Sequence, residues 1–452
     1  MGMNITTKNP RQAAFIILQD VFLKGAYANL ALYQGLREAP LSQLDRKLCT
    51  ELVYGTVKTM GTLDWYLAKV VHKPLQKLDG KVRVLLRLGA YQMLYLDRIP
   101  DSAACNESVK LAKVWVNEGA ARLVNGALRQ LARTKDQWQL PAGDDQELLR
   151  MALTYYHPEW LVRRWKYRFG LEEARQLCEF DNAKPVFSLR VNTLATTRQH
   201  LQEELQQDGI KAQPSKWSSD GLICDNLPAL EVFMEKYGNK VYIQDESSLL
   251  DAAVLRPLPG QTVLDMCSAP GGKTTHLAQL MEDKGQLLAC DIYDHKLALI
   301  RENARRLGIH CIRTCKQDGT VFRPEWKETA DRVLVDAPCS GLGVLNRRPE
   351  ARWTKEERKL SQFPPLQKKI LDNGAAYVKP GGRLLYSTCT LEQDENTRMR
   401  TWFLAKHPEF VPVSFAHPVT GELVEELQLL PYRDHIDGFY LCLFERKRDM
   451  NE

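Results

Sequence analysis

The chain has 452 residues, 44% apolar and 26% charged, about three times the ~150 residues of a typical domain, which calls for two or three cores and excludes mini-proteins, collagen-like chains and extended disorder. The net charge of +6 hides an asymmetry, because residues 1–140 hold 20 Lys/Arg against 11 Asp/Glu and the remainder is slightly acidic. A basic module joined to a near-neutral one points to docking on a polyanion by the first and chemistry on it by the second. No stretch reaches the ~18 uncharged apolar residues of a membrane span, and MGMNITTKNPRQ lacks the apolar run of a secretory signal, so a cytoplasmic protein is expected. The 11 cysteines contain no CxxC, which argues against a disulfide framework or a zinc ribbon. Cys311 and Cys315 lack a second ligand pair nearby and read as strand residues, so no metal is expected.

From Arg11 to about Arg133 the apolar residues recur at helical spacing, as in Val82, Leu85, Leu86, Ala90 and Met93. The segment is predicted to be an all-α bundle, with breaks near Ala39-Pro40, His72-Lys73-Pro74 and Arg98-Ile99-Pro100-Asp101. In its last helix Arg122, Arg129 and Arg133 share a face away from the Val124, Leu128, Leu131 stripe and are candidates for phosphate contact. The polar run QWQLPAGDDQE, residues 137–147, is the predicted linker. Beyond it TYYHPEWLVRRWKYRF reads as helix, FSLRVNTL (187–194) as strand and HLQEELQQDGI as amphipathic helix, a small α/β module reaching about residue 243. From Gln261 onward, strands and helical patterns alternate, predicting a doubly wound, mostly parallel, Rossmann-like sheet of seven strands. The expected division is therefore 1–140, 141–243 and 244–452.

The most informative segment is QTVLDMCSAPGGKTTHL, residues 261–277, where an apolar strand enters a small-residue turn and a helix begins near Gly272. Glycines there let a ligand approach the backbone, and the helix start offers N–H groups. A phosphate loop is excluded by counting, since GxxxxGK[ST] ending at Gly272-Lys273-Thr274 needs a glycine where Cys267 stands; GxGxxG is absent too. The next strand ends in Asp291, placed to accept from ribose hydroxyls, and a third ends at Asp318 beside Gly319, suited to an adenine amino group. Strand, turn, helix, acid, strand, acid resembles the S-adenosylmethionine-dependent methyltransferases; the plainer reading makes these acids helix caps of any Rossmann-like domain.

The fourth strand, DRVLVDAPCSGLG, carries Asp336, Pro338 and Cys339 at its carboxyl end, and the fifth, GGRLLYSTCT, ends in Cys389. Adjacent parallel strands can present two thiols and a carboxylate to one pocket. That set suits methylation at carbon 5 of cytosine: a thiolate adds to carbon 6, and a carboxyl at N3 and N4 stabilises the developing charge. Asp336 fits the carboxyl role. Chemistry alone does not rank the two thiols.

The strings VLDMCSAPGGKT, Asp291, DAPCSGLG followed by Arg347-Arg348-Pro349, YSTCT and the late DGFY (437–440) resemble the motif series of the RNA cytosine-5 methyltransferase family of Sun/Fmu and Nop2 relatives. DRKLCTELVYGTVK, LLRLGAYQMLYLDRIP, ACNESVKLAK and RLVNGALRQLAR resemble the antitermination factor NusB. The resemblance implies Cys389 as nucleophile, Cys339 assisting product release, and Lys273 near Asp336 and the target base. It implies S-adenosylmethionine held by Cys267, Ser268, Ala269, Pro270, Gly271, Gly272, Lys273, Asp291, Asp318 and Asp336, with Arg347 joining Arg122, Arg129 and Arg133 on RNA. Ser268 stands where the family commonly has alanine, a change that leaves the turn intact. The expected substrate is a cytosine of small-subunit (16S) ribosomal RNA, and a monomer is expected. The alternatives are a transfer RNA or DNA target, or a NusB-like RNA-binding assembly factor whose methyltransferase domain is inactive.

Overall fold

The computed structural model describes residues 5–448. Ten helices fill the first 183 residues: α1 (Pro10–Lys24), α2 (Ala28–Glu38), α3 (Gln43–Lys58), α4 (Met60–Leu67), α5 (Gly80–Tyr95), α6 (Asp101–Trp115), α7 (Glu118–Thr134), α8 (Glu147–Thr154), α9 (Glu159–Phe169) and α10 (Leu171–Asn182). Local chemistry sets the ends. The Asn9 side chain accepts from the Arg11 and Gln12 N–H groups, Pro10 opens α1, and Gly25 closes it in the left-handed region at φ 73°. Asn117 caps α7, which buries Ala121, Val124, Ala127, Leu128 and Leu131, the stripe that the spacing predicts. These side chains join one apolar core with Phe15, Leu52, Leu85 and Leu86.

The second unit opens with β1 (Phe187–Val191), α11 (Arg198–Gln207), β2 (Lys211–Pro214), β3 (Gly221–Asp225), α12 (Leu230–Tyr237) and β4 (Val241–Ile243). Its strands form an antiparallel sheet in the order β2-β3-β1-β4, the small α/β module that the sequence predicts. Next come α13 (Glu246–Leu255), β5 (Thr262–Asp265), α14 (Gly272–Leu280), β6 (Gln286–Asp291), α15 (Asp294–Leu307), β7 (Ile312–Lys316) and β8 (Ala330–Asp336). The chain then contributes residues 345–357, with the short helix α16 (Ala351–Thr354), to the helical unit. It resumes with α17 (Phe363–Tyr377), β9 (Val378–Thr388), α18 (Thr397–Lys406), β10 (Phe410–Pro412), β11 (Phe415–Ala416), β12 (Leu423–Val424), β13 (Glu426–Leu429), α19 (Pro431–Asp434) and β14 (Phe439–Arg446).

The large sheet runs β10-β14-β9-β8-β5-β6-β7, with β13 also on β14. It has eight strands in seven positions, because β10 pairs with the Phe444–Arg446 end of β14 and β13 with its Phe439–Cys442 end. Strands β9, β8, β5, β6 and β7 are parallel, and β14 is antiparallel. Both faces are apolar: Val263, Leu334, Leu385 and Leu441 pack on one side, and Leu264, Val333, Leu384 and Tyr386 on the other, as a sheet covered on both faces requires. Chain direction along the sheet switches at β5, which is flanked by β6 and β8, and ligands of such sheets sit beyond the strands' carboxyl ends at that point.

Packing divides the chain at Ala183/Lys184. Helices α8–α10, expected with the connector module, therefore belong to the helical unit, as does the 345–357 segment. The cause is long-range pairing. Arg352, fully buried, donates from Nη1 to Tyr156 O (3.1 Å) and Asn182 Oδ1 (2.8 Å) and from Nη2 to Asp181 O, while Trp353 Nε1 donates to Val57 O at 2.8 Å. Among the described residues, no helix is long and apolar enough to cross a membrane.

Candidate active site

Asp265 ends β5 fully buried and accepts from Thr274 Oγ1 at 2.7 Å, tying the strand to α14. Burial pushes its carboxyl up to about 7. In the turn between them, the Ser268 N–H and Oγ both donate to Cys290 O, at 2.9 and 2.8 Å. Gly271 has φ 104°, and a Cβ there would sit 3.2 Å from Ile300 Cα; geometry and space both demand glycine. The first N–H groups of α14 have no partner within the helix by construction. From the neighbouring sheet, the buried Arg190 donates to Thr275 Oγ1 (2.7 Å), Gln244 Oε1 (2.7 Å) and Gly272 O.

Asp291 ends β6 and accepts the Tyr293 N–H at 3.0 Å through Oδ1. Asp318, two residues past β7, accepts the Thr320 N–H and hydroxyl through Oδ1 at 2.9 and 2.7 Å. Each acid thus braces its own turn with one oxygen.

Lys273 Nζ lies 2.6 Å from Asp336 Oδ1 at the end of β8 and 2.8 Å from Asp251 Oδ2 on α13. The Phe439 ring lies 4.6 Å from the same ammonium. Burial alone would lower the lysine's proton affinity, but the two carboxylates outweigh it and hold the group above its ordinary value. Burial pushes the carboxyl of Asp251 up to about 6.

Cys339 Sγ and Cys389 Sγ are 3.5 Å apart. The hydrogen bond between the thiols, then burial, pushes the Cys339 thiol well above its ordinary value, with the charges of Glu395 and Asp336 adding to the effect. The Pro-Cys turn is held from below: Glu395 Oε2 accepts from Ser340 N (3.0 Å) and Gln367 Nε2 (2.8 Å), and the same amide donates to Pro338 O (3.0 Å). Gly343 N donates to Cys389 O at 3.0 Å and Gly438 N to Gly343 O at 2.7 Å, which joins the DGFY string to both cysteine loops.

The second unit thus holds Lys273 against Asp336, and Cys339 against Cys389, on the carboxyl ends of adjacent strands. Arg122, Arg129 and Arg133 are exposed on α7, with Arg133 Nη2 donating to Gln130 Oε1 at 2.7 Å, and Arg347 falls in the 345–357 segment; all four belong to the helical unit. Cys311 precedes β7 and Cys315 lies within it, and no group of three metal-ligating side chains gathers among the described residues. A cleft of about 750 Å³ bordered by Trp217, Asp220, Arg256 and Phe415 contains none of the expected site residues. Sequence reasoning missed Asp251, Glu395 and Arg190. The signal for Asp251 was faint, an acid flanked by Leu249, Leu250, Ala252 and Ala253 in the helix ESSLLDAAVL.

The sheet order and strand-end site define a Rossmann-like methyltransferase domain, carried with a NusB-type helical domain. Residues 252–445 match the 16S rRNA methyltransferase RsmB/F model, residues 8–133 the NusB family, and residues 157–230 the ferredoxin-like domain of RsmF/B-like methyltransferases. The probable ribosomal RNA small subunit methyltransferase B of Bacillus subtilis is 38% identical, covering 93% of this chain and 95% of the relative. The protein of the same name from Synechocystis is 36% identical over 96% and 98%. The solved structure of PH0851 superposes with a TM-score of 0.86 at 28% identity, over 98% of this chain and 100% of its own. The chain belongs to the ribosomal RNA small subunit methyltransferase B family.

Proposed function

We propose that the chain transfers a methyl group from S-adenosylmethionine to carbon 5 of a cytosine in small-subunit ribosomal RNA, through a covalent bond between Cys389 and carbon 6. One observation carries the reading: two thiols 3.5 Å apart on adjacent strand ends, beside a carboxylate held by a buried lysine. The names of the relatives support the ribosomal substrate.

The residues present suit the cofactor. The glycine turn 271–272 admits a ligand to the backbone, Asp291 and Asp318 each offer one carboxylate oxygen for ribose and adenine, and Cys267 to Gly272 with Asp336 line the approach. When bound, S-adenosylmethionine supplies a methyl group on a sulfonium centre. Cys389 adds its thiolate to carbon 6, so that the C5=C6 electron pair becomes nucleophilic at carbon 5. Asp336 gives its proton toward N3 as charge develops there, and Lys273 holds the carboxyl in place. Water takes the carbon 5 proton, the electron pair returns to the ring and expels Cys389 as thiolate with Cys339 assisting, and N3 hands its proton back to Asp336. The two sulfurs lie at hydrogen-bond distance, so Cys339 can hold a proton beside the attacking sulfur of Cys389. Docking falls to the basic part, residues 1–140, through Arg122, Arg129 and Arg133, with Arg347 added from the inserted segment.

The test is to incubate the purified chain with labelled S-adenosylmethionine and small-subunit RNA, free and in particles, and to map the methyl by bisulfite sequencing. A label on carbon 5 of one cytosine is expected. A label on N4, or on transfer RNA alone, would replace this reading.

A further inference from the structure

Asp251 needs a reason to exist. It sits in the middle of α13 among Leu249, Leu250, Ala252 and Val254, all buried, and has no exposed surface. Its one cationic neighbour among the described residues is Lys273, 2.8 Å away, and the same ammonium reaches Asp336 at 2.6 Å. A carboxylate shut in an apolar helix is costly unless paired, and Lys273 already has a counter-ion in Asp336. The second acid earns its place only if the first is not always available.

In the proposed reaction it is not. Until it gives its proton to N3, an Asp336 carboxyl turned to the pyrimidine is neutral and is no counter-ion. A Lys273 with no other partner would then be an unpaired buried cation, and would either lose its proton or swing away. We propose that Asp251 is a positioning residue, the resident counter-ion that keeps Lys273 charged and in place while Asp336 engages the base. This inference rests on the reading of Asp336 given above. The other ionisable groups facing these three are Asp265 from β5, Cys267 and Cys339 from the turns after β5 and β8, and Tyr386 from β9, with the hydroxyl of Ser387 on β9 and the ring of Phe439 on β14 completing the walls.

The experiment compares Asp251→Asn and Asp251→Glu with Leu250→Ala, which disturbs the same helix without touching charge. In Asp251→Asn, kcat falls about 30- to 100-fold while KM for RNA and S-adenosylmethionine affinity stay within about threefold, and Asp251→Glu recovers part of the loss. Independently of activity, reductive methylation read by peptide mass should label Lys273 faster in Asp251→Asn than in the parent, since its ammonium has lost a partner. An Asp251→Asn protein with unchanged kcat and labelling, or one matched by Leu250→Ala in both, overturns the proposal. Should the parent place its methyl elsewhere than carbon 5, the cytosine reading falls. The kcat of that transfer and the Lys273 labelling would still decide the role of Asp251.

Discussion

Two thiols at hydrogen-bond distance can divide labour, because one proton between them leaves a nucleophile and an acid in the same pocket. Cys389→Ala is expected to abolish methylation and leave S-adenosylmethionine binding intact, as calorimetry can show, since only the attacking sulfur is lost. Cys339→Ala should instead stall after attack, and a covalent RNA adduct should appear on denaturing gels. The reversed pattern would give the nucleophile role to Cys339. At this scale the sequence was most informative, because strand-end residues within one motif stay together whatever the rest of the fold does. It gave only a faint mark of Asp251 and none of Glu395, whose partners are side chains met across the fold and not set by spacing along the chain.

Among the elements, the junction from α8 through α9 to α10 shows how buried charge tunes a helix corner. His157 Nδ1 donates to Tyr155 O (2.6 Å), its Nε2 lies 3.2 Å from Asp181 Oδ2, and burial drives the ring's proton affinity well below its ordinary value. Below pH ~6.5 the unfolded chain takes up a proton that the buried ring refuses, so this group costs stability on acidification, at most ~1.4 kcal/mol per pH unit. Asp181 has the opposite sign: burial pushes it up to about 7, so the folded state binds its proton first and gains stability as pH falls from there toward the ordinary carboxylate range. The two slopes offset in the parent. Asp181→Asn removes the compensating one, and its denaturant midpoint should drop between pH 6.5 and 5 while the parent's changes little; parallel curves would refute the coupling. A second element-scale test concerns α4, where a Cβ on Gly61 would lie 2.5 Å from the Trp353 ring. Gly61→Ala should destabilise the helical unit by about 1–3 kcal/mol through overpacking, measured as a lower melting temperature. Helix periodicity located α7 and its apolar stripe, but nothing in it tells a helix which distant segment will lean on it.

For the molecule as a whole, charge and chemistry are carried by different parts of the chain. If Arg122, Arg129 and Arg133 meet phosphates, replacing all three should reduce the log–log salt slope of RNA binding by about two to three, at ~0.7–0.9 per contact, with turnover at saturating RNA preserved. An unchanged slope in a variant of normal helicity would move docking to another face. The order of modules was legible from composition and motifs, whereas the allegiance of residues 345–357 was not, since a short polar stretch following the Pro-Cys turn carries no local mark of the unit it completes. That allegiance bears on how the chain is born. The helical unit cannot be finished when Ala183 leaves the ribosome, because Arg352 and Trp353 are still unmade; at ~5–20 residues per second they follow roughly 10 to 35 s later. During that interval the backbone oxygens of Val57, Tyr156 and Asp181 wait for their donors, and the amino-terminal product is a nascent intermediate whose last piece is delivered from inside the gene for its neighbour.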